Sequence, residues 1–288
     1  MSIIQEITLS HYQKYQKFKF IRYAGGKSRL LKFLIPKLPN NDSITGTYVE
    51  PFVGSGAVFF YINPEKAILS DTNKELIDLY KGIKANPKQV WDIFENFPHT
   101  KKSYYQIRDD INTVDESLSY RAARTLYLNR TCFKGMWRYN QDGEFNVGYG
   151  GQDRRWAINR DNLYEVSKRL KRATLLNTDF EEVIDKLNPD DFAFIDPPYS
   201  ANLRETREYH YNGFKFSFED HQRLSRVLKR ASRRGVKWAM TTTSHPDILE
   251  LFSSFNKHIL RLGSCEKIGV LTDNAGEVLI NNYSKIQD

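Results

Sequence analysis

Cysteine is scarce in this chain of 288 residues, which contains only Cys132 and Cys265 and no CxxC pair. Two cysteines cannot build the disulfide framework of a small secreted protein, so we expect a reducing compartment such as the cytoplasm. The six histidines are scattered without the spacing of metal ligands. That scatter argues against a zinc site, and no metal is expected.

Long apolar runs are also missing. A helix that spans a membrane needs about 20 predominantly apolar residues, and no stretch of this chain approaches that length. The opening segment MSIIQEITLSHYQKYQKFKF lacks the apolar centre of a signal peptide. We therefore expect neither a membrane span nor a secretory leader.

The composition favours a globular protein with a polyanionic partner. Hydrophobic residues make up 40% of the chain, which is enough for a substantial core. Lysine and arginine total 43 against 35 acidic residues, giving a net charge of +8. The 17 tyrosines and 18 phenylalanines could stack on bases, although most aromatic side chains fill cores. A basic balance suits nucleic acid without establishing it.

Short apolar runs separated by turns predict an α/β fold. TYVEPF (47–52) and KAILSD (66–71) have the pattern of buried strands, and NKELIDLYKGIKANP (73–87) has helical spacing that stops at Pro87. The rhythm returns later with ATLLNTD (173–179), FAFIDPP (192–198), a helix over about 218–234, KWAMTTT (237–243), KHILRLG (257–263) and EVLINNY (277–283). The last two segments suit an antiparallel pair at the sheet edge.

The stretch from 87 to 170 breaks this rhythm. It is polar, aromatic and basic, with helical pieces such as SYRAARTLYLNR and a middle rich in glycine and asparagine. We therefore predict a doubly wound, Rossmann-like α/β domain formed by residues 1–86 and 171–288. A mainly helical module at 87–170 interrupts it.

The segment YAGGKSRLL (23–31) resembles the end of a phosphate-binding loop. That motif needs a glycine five residues before its final Gly-Lys-Ser, so that backbone amides can wrap the phosphates. Ile21 occupies the position here, and a β-branched residue suits the turn poorly. Gly25, Gly26 and Lys27 could instead meet a carboxylate.

Two further motifs follow predicted strands. EPFVGSGAVFF (50–60) is a glycine turn into a helix, but Phe59 stands where the dinucleotide fingerprint has its third glycine. Asp71 ends the next strand, where it could accept both hydroxyls of a ribose or cap the following helix.

FAFIDPPYS (192–200) runs from an apolar strand into an acid, two prolines and a tyrosine. Prolines cannot continue a central strand, and they leave carbonyls free to accept. Asp196 and the carbonyl of Pro197 would form a rigid pair of acceptors beside the face of Tyr199. An exocyclic amine on a stacked planar base would satisfy that pair, whereas the plainer interpretation is a strand end with a helix-capping Asp.

These motifs occur in a fixed order: YAGGK, EPFVGSG, a basic insert and DPPY. Together they resemble the Dam-like family of DNA adenine N6-methyltransferases (D12 class, alpha group), over about Tyr23 to Tyr283. LYLNR, RYN, GEFNV and the closing NNY are similar to family segments as well.

The resemblance implies S-adenosylmethionine as cofactor and double-stranded DNA as partner, with methyl transfer to N6 of a flipped adenine in a short site. It gives the methionine part to Lys27, the ribose to Asp71 and the cofactor's adenine amine to Asp179. The implied cofactor-binding set is Tyr23, Ala24, Gly25, Gly26, Lys27, Phe52, Gly54, Gly56, Asp71, Asp179, Phe180 and Asp196. The implied catalytic set, which would hold the target base, is Asp196, Pro197, Pro198 and Tyr199.

FKGMWRYN (133–140) is similar to the family segment YNGLCRYN. Arg138 matches an arginine that reads guanine in the major groove. Lys134 replaces a wedge asparagine, and Gly151 and Gln152 stand where an arginine and an aromatic are expected. GATC is the family default, but these departures leave the recognition sequence open. The implied DNA-binding set is Phe133, Lys134, Met136, Arg138, Asn140 and Gln152.

A further basic set in the insert is expected to be solvated or to face phosphates. It consists of Arg121, Arg124, Arg130, Arg154, Arg155, Lys168 and Arg169.

Two other functions remain open at this stage. The acceptor pair also suits N4 of cytosine, and a non-catalytic DNA-binding protein could use the same scaffold. Intact Lys27, Gly54, Asp71 and Asp196 argue against the second. The sequence does not decide the oligomeric state, a preference for hemimethylated DNA, or a restriction, phage or housekeeping role.

Overall fold

The computed structural model describes residues 18–23, 25–110, 116–140, 142–151, 155–198, 216–260 and 277–284. Within these ranges the chain forms a seven-stranded sheet in the order β3-β2-β1-β4-β5-β7-β6. The strands are β1 (Tyr48–Glu50), β2 (Ala67–Ser70), β3 (Ala173–Leu176), β4 (Phe192–Ile195), β5 (Lys237–Thr243), β6 (Asn256–Leu260) and β7 (Glu277–Asn281).

Strands β1 to β5 are parallel, whereas β7 runs antiparallel to both β5 and β6. The strand order reverses between β1 and β4, as in a doubly wound sheet. The predicted α/β fold, its strands and the antiparallel pair at the edge are therefore confirmed.

Ten α-helices occur in the described ranges. They are α1 (Leu31–Leu34), α2 (Ala57–Ile62), α3 (Lys74–Ala85), α4 (Pro87–Asn96), α5 (Lys101–Asp110), α6 (Leu118–Thr131), α7 (Arg160–Leu170), α8 (Phe180–Ile184), α9 (Phe218–Arg233) and α10 (Pro246–Leu251). Pro87 begins α4 rather than only ending α3, because proline suits the first turn of a helix. No helix in the described ranges has the length and apolar character needed to cross a bilayer.

Both faces of the sheet are covered, and strand β4 illustrates how. Phe192 and Phe194 belong to one hydrophobic cluster, with residues of α2, α3, α6 and α7. Ala193 and Ile195 belong to the other cluster, with residues of α8, α9 and α10. Successive side chains of a strand point to opposite faces, so a strand buried on both sides is apolar throughout.

The helices of segment 87–170 are continuous with this packing. Helices α6 and α7 pack directly on α3, and α7 also contacts β3. Their apolar residues belong to the same cluster as Phe192 and Phe194. The mainly helical content is confirmed, while the division into two domains stays a prediction.

Three arginines of the basic set correct the sequence prediction, since Arg124, Arg130 and Arg155 are buried. Each donates to backbone carbonyls, Arg124 to Asp110 at 3.1 Å, Arg130 to Lys19 at 3.0 Å and Arg155 to Phe97 at 2.7 Å. The prediction that they are solvated or face phosphates is wrong for these three. The expectation rested on their charge alone, but neighbouring elements cover Arg124 and Arg130 in α6 and Arg155 beyond it.

The crossing of α3 and α6 depends on the absence of a side chain at Gly82. A Cβ at this position would lie 2.4 Å from the Cβ of Ala122 and 3.2 Å from the carbonyl oxygen of Leu118. Real Cβ atoms do not approach so closely, so the two helices would have to separate.

Replacing Gly82 by alanine should therefore destabilise the protein. Alanine favours a helix by up to about 1 kcal/mol, but overpacking a core costs about 1–3 kcal/mol. Denaturant unfolding of Gly82→Ala, Ala122→Gly and the double variant measures the balance. The double variant should lose less than the sum of the single losses; a Gly82→Ala protein as stable as the parent contradicts the packing.

Candidate active site

The candidate site lies at the carboxyl ends of the parallel strands, beside the reversal of strand order between β1 and β4. Ligands of open α/β sheets bind at this edge. Asp71 follows β2, Asp179 follows β3 by a short turn, and Asp196 follows β4. Because β7 is antiparallel to β5 and pairs Glu277 with Thr243, its first residue lies at the same edge.

Asp196 is the centre of the polar contacts at this edge. Its Oδ1 lies 2.8 Å from Nζ of Lys27 and accepts a 2.7 Å hydrogen bond from the hydroxyl of Thr241. Lys27 is only 3% exposed, and its Nζ also donates to the carbonyl of Gly25 at 2.8 Å. Oε1 of Glu277 lies 3.8 Å from the same Nζ. The cation is thus held between two carboxylates.

The loop that carries Lys27 rests on the glycine turn. A Cβ at Gly54 would lie 3.2 Å from the ring of Tyr23, and one at Gly26 would lie 3.2 Å from the hydroxyl of Ser55. Gly54 and Gly56 have φ of +45° and +63°, which favour glycine. The two glycine motifs therefore form one surface, as expected for residues that share a ligand.

Helix α6 fixes the segment that leads into this loop. Asn129 accepts from the amide of Arg22 at 2.7 Å and donates to its carbonyl at 2.6 Å. Arg130 adds its bond to the carbonyl of Lys19. These two residues end the LYLNR segment, so the motif binds backbone rather than a ligand.

Asp71 connects the glycine turn to the start of α3. Its Oδ2 accepts from the amide of Gly54 at 3.1 Å and its Oδ1 from the amide of Asn73 at 3.0 Å. Asn73, not Asp71, caps α3 through the amide of Leu76. Burial raises the pKa of Asp71 to about 6, although the amide hydrogen bonds oppose the rise.

Glu50 is a second buried carboxyl group at the end of β1. Its Oε1 accepts from the hydroxyl of Tyr48 at 2.5 Å and from the amide of Phe59 at 2.7 Å. Burial raises the pKa of Glu50 to about 8, those hydrogen bonds oppose the rise, and the charge of Asp196 adds to it. A proton on Glu50 is therefore favoured at neutral pH.

Asp179 and Phe180 lie beside Phe52 on the other side of the glycine turn. The rings of Phe52 and Phe180 stack with centroids 5.2 Å apart. Asp179 caps α8 through the amide of Glu181 at 2.9 Å and forms a two-pronged ion pair with Arg223, at 2.8 and 3.0 Å. The carboxylate is thus oriented within the protein itself.

An irregular antiparallel ribbon consists of residues 132–140 and 142–149, with bridges between Cys132 and Tyr149 and between Tyr139 and Phe145. Trp137 and Tyr139 are buried, and the Tyr139 hydroxyl donates to Glu75 at 2.7 Å. Arg138, between them, is exposed. The ribbon therefore presents alternate side chains outward.

The DNA-binding candidates follow this pattern. Phe133 is 48% exposed, and Lys134 beside it is exposed with a left-handed φ of +53°. Met136 is half-buried. Asn140 is engaged in the ribbon's turn, where its Oδ1 accepts from the amides of Asp142 and Glu144.

The structure brings together the described cofactor candidates and Asp196 and Pro197 at one sheet edge. Ala24, Tyr199 and Gln152 lie outside the described residues. Sequence reasoning missed Thr241, Glu277, Glu50 and Arg223. The polar run TTT at the end of a buried strand was a signal for Thr241, whereas nothing in the sequence connects Arg223 to Asp179.

Among the described residues, no group of three or more His, Cys, Asp or Glu side chains could hold a metal ion. The polar groups at the site are carboxylates, one buried lysine and a hydroxyl. Next to bare glycine backbone and two stacked rings, they suit an organic ligand with charged and planar parts.

Comparison with known proteins identifies a family whose model covers most of this site. A family model described as D12 class N6 adenine-specific DNA methyltransferase matches residues 23–265. The chain is 32% identical over 285 residues to the Type II methyltransferase M.MjaIII of Methanocaldococcus jannaschii, covering 92% of this chain and 98% of that protein. Type II methyltransferase M1.LlaDCHI of Lactococcus lactis subsp. cremoris is 32% identical over 278 residues, covering 92% and 95%.

A DNA adenine methylase of Vibrio cholerae serotype O1 is 31% identical over 224 residues, covering 75% of this chain and 78% of that protein. The family model spans the GGK loop, the glycine turn, the ribbon and Asp196, which are the parts that meet at or beside the sheet edge. The chain is therefore an enzyme that uses a methyl donor and DNA, and it belongs to the family of D12 class N6 adenine-specific DNA methyltransferases.

Proposed function

We propose that this protein methylates N6 of an adenine flipped out of duplex DNA and takes the methyl group from S-adenosylmethionine. The observation that carries the proposal is the ion pair of buried Lys27 with Asp196. It lies at the sheet edge that also holds the glycine turn and Asp71.

Asp196 has the geometry of an acceptor for an exocyclic amine. Lys27 and Thr241 both contact Oδ1, and a carboxylate oxygen has two lone pairs. We therefore assign Oδ2, with the carbonyl of Pro197, to the amine of the target base. These acceptors stabilise the positive charge that develops on a nitrogen whose lone pair is otherwise delocalised into the ring.

The residues at the edge fit the proposed cofactor. Gly54 and Gly56 allow close approach of its chain, and Phe52 with Phe180 offers an apolar wall for a purine. Asp71 accepts from backbone amides of the glycine turn and of the start of α3, and its carboxylate suits the ribose hydroxyls. Lys27 suits the methionine carboxylate. S-adenosylmethionine supplies a methyl group activated by its sulfonium.

The exposed side chains of the ribbon suit the DNA part of the task. Unstacking a base costs roughly a few kcal/mol, and an exposed aromatic such as Phe133 can fill the space that the base leaves. Arg138 can donate two hydrogen bonds to a guanine edge. Recognition of the site is therefore assigned to the outward positions of the ribbon.

The direct test is base-resolution mapping of N6-methyladenine in plasmid DNA incubated with purified protein and S-adenosylmethionine. We expect methylation at one short motif. Asp196→Asn keeps the volume but alters the acceptor and removes the anion that pairs with Lys27, so its turnover should fall by on the order of 10²–10³. Cofactor affinity and thermal stability of the same variant separate loss of the acceptor from loss of the ion pair. Methylation at N4 of cytosine would change the assigned target base from adenine to cytosine. Cofactor binding without methylation of any base would contradict the proposal.

Thr241 should affect turnover through the orientation of Asp196. Thr241→Val removes the 2.7 Å hydrogen bond, so we expect kcat to fall by about tenfold, since one tenfold step is about 1.4 kcal/mol. Thr241→Ser retains a hydroxyl and should keep most of the activity.

The adjacent Thr242 is the matched control. It is also fully buried, and its hydroxyl has no hydrogen-bond partner among the described residues. Thr242→Val should leave kcat unchanged and the protein at least as stable, because no buried bond is lost. Steady-state kinetics and thermal unfolding of the three variants test this prediction. Equal losses of kcat in the Thr241→Val and Thr242→Val variants would contradict the role of Thr241 in orienting Asp196.

Cofactor affinity should depend on pH through Asp71. Its pKa of about 6 means that the carboxyl gains a proton as the pH falls below 6, and a protonated carboxyl accepts ribose hydroxyls less well. Kd for S-adenosylmethionine, measured by calorimetry from pH 5 to pH 8, should therefore rise towards acid. Asp71→Asn should bind about 10–100-fold more weakly, without this dependence. An unchanged pH profile in that variant would exclude Asp71 as its source.

A further inference from the structure

Helix α9 carries a row of arginines that faces α8. Arg223 and Arg230 lie in α9 and Arg234 directly follows it; their spacing of seven and four residues places the three on one side of the helix. Arg230 contacts Glu181 and Asp185, each at 2.7 Å, and Arg234 donates to the carbonyl of Ile184 at 2.8 Å. These two contacts join the helices away from the glycine turn.

Arg223 differs because its partners belong to the candidate site. Its two terminal nitrogens donate to the two oxygens of Asp179. Its Cζ lies 4.2 Å from the centroid of the Phe180 ring, and that ring stacks on Phe52. Nη1 also donates to Glu181 at 3.2 Å. One side chain thus fixes both the carboxylate and the ring expected to receive a purine.

We propose that Arg223 is a positioning residue that makes the site selective for the exocyclic amine of the cofactor's adenine. The inference rests on the proposed function, in which Asp179 accepts a hydrogen bond from that amine. Arg223 acts through Asp179 and Phe180, and it is assigned no contact with the ligand.

The selectivity follows from the lone pairs of Asp179. A carboxylate has about four acceptor positions. Oδ1 accepts from Arg223 and from the amide of Glu181, and Oδ2 accepts from Arg223. One position on Oδ2 is left, and the planar guanidinium fixes its direction. That position suits one N–H donor and repels a carbonyl oxygen.

S-adenosylhomocysteine and its inosine analogue, which has a carbonyl in place of the amine, are suitable probes. The wild-type enzyme should bind the amine form more tightly. Arg223→Gln should lower affinity for S-adenosylhomocysteine by about tenfold, the size of one charge-assisted hydrogen bond. In this variant the dissociation constant of the inosine analogue, divided by that of S-adenosylhomocysteine, should fall towards one.

Arg230→Gln is the matched control, since it removes an ion pair of the same kind from the same helix face. Arg230 shares Glu181 with Arg223 but bonds its other oxygen, and its second partner is Asp185 rather than Asp179. Half-exposed ion pairs add little stability, so both variants should fold. Arg230→Gln should keep both the affinity and the ratio. Arg223→Lys keeps the charge without the planar fork and should have an intermediate ratio; it replaces Arg223→Gln if that variant does not fold.

Three outcomes would overturn the inference about Arg223, and a fourth would refute the proposed function. An equal loss in the Arg223 and Arg230 variants would make Arg223 a structural link only. An unchanged ratio in the Arg223 variants, or no preference in the wild-type enzyme, would also overturn the inference. Failure of the wild-type enzyme to bind S-adenosylhomocysteine at all would instead refute the proposed function.

Discussion

The arrangement of the site depends on one charge pair, formed by Lys27 and Asp196 at the end of β4. A lysine that is 97% covered needs a close anionic partner, because an unpaired buried charge is costly. The pairing of Lys27 with carboxylates brings the GGK loop, the end of strand β4 and the start of β7 together. The loop in turn lies over the glycine turn, so the cation determines where the two glycine motifs meet.

Much of this architecture followed from the sequence because the sheet is covered on both faces. Continuous apolar strands such as FAFI, ended by an acid or a proline, are distinct from the helical spacing between them. The positions of Gly54, Asp71 and Asp196 came from motifs that directly follow strands, whereas Lys27 came from the glycine loop YAGGK, which precedes β1. Parallel strands place such residues at one edge irrespective of the details of the loops.

Contacts between distant segments could not be predicted in this way. Arg223 and Asp179 are 44 residues apart, and Arg22 and Asn129 are 107 residues apart. No local pattern separates an arginine that pairs across helices from one that faces water. Arg124, Arg130 and Arg155 illustrate the converse error, because a basic composition does not reveal that neighbouring elements cover these three side chains.

The alternation along the ribbon has a consequence for divergence within the family. Trp137 and Tyr139 point inward and maintain the fold, whereas Phe133, Lys134 and Arg138 are exposed and form little of the core. Folding and reading are thus assigned to different positions of the same short segment. Under the proposed function, substitutions at the outward positions would alter target preference at little cost in stability, so a new recognition sequence could be acquired one residue at a time.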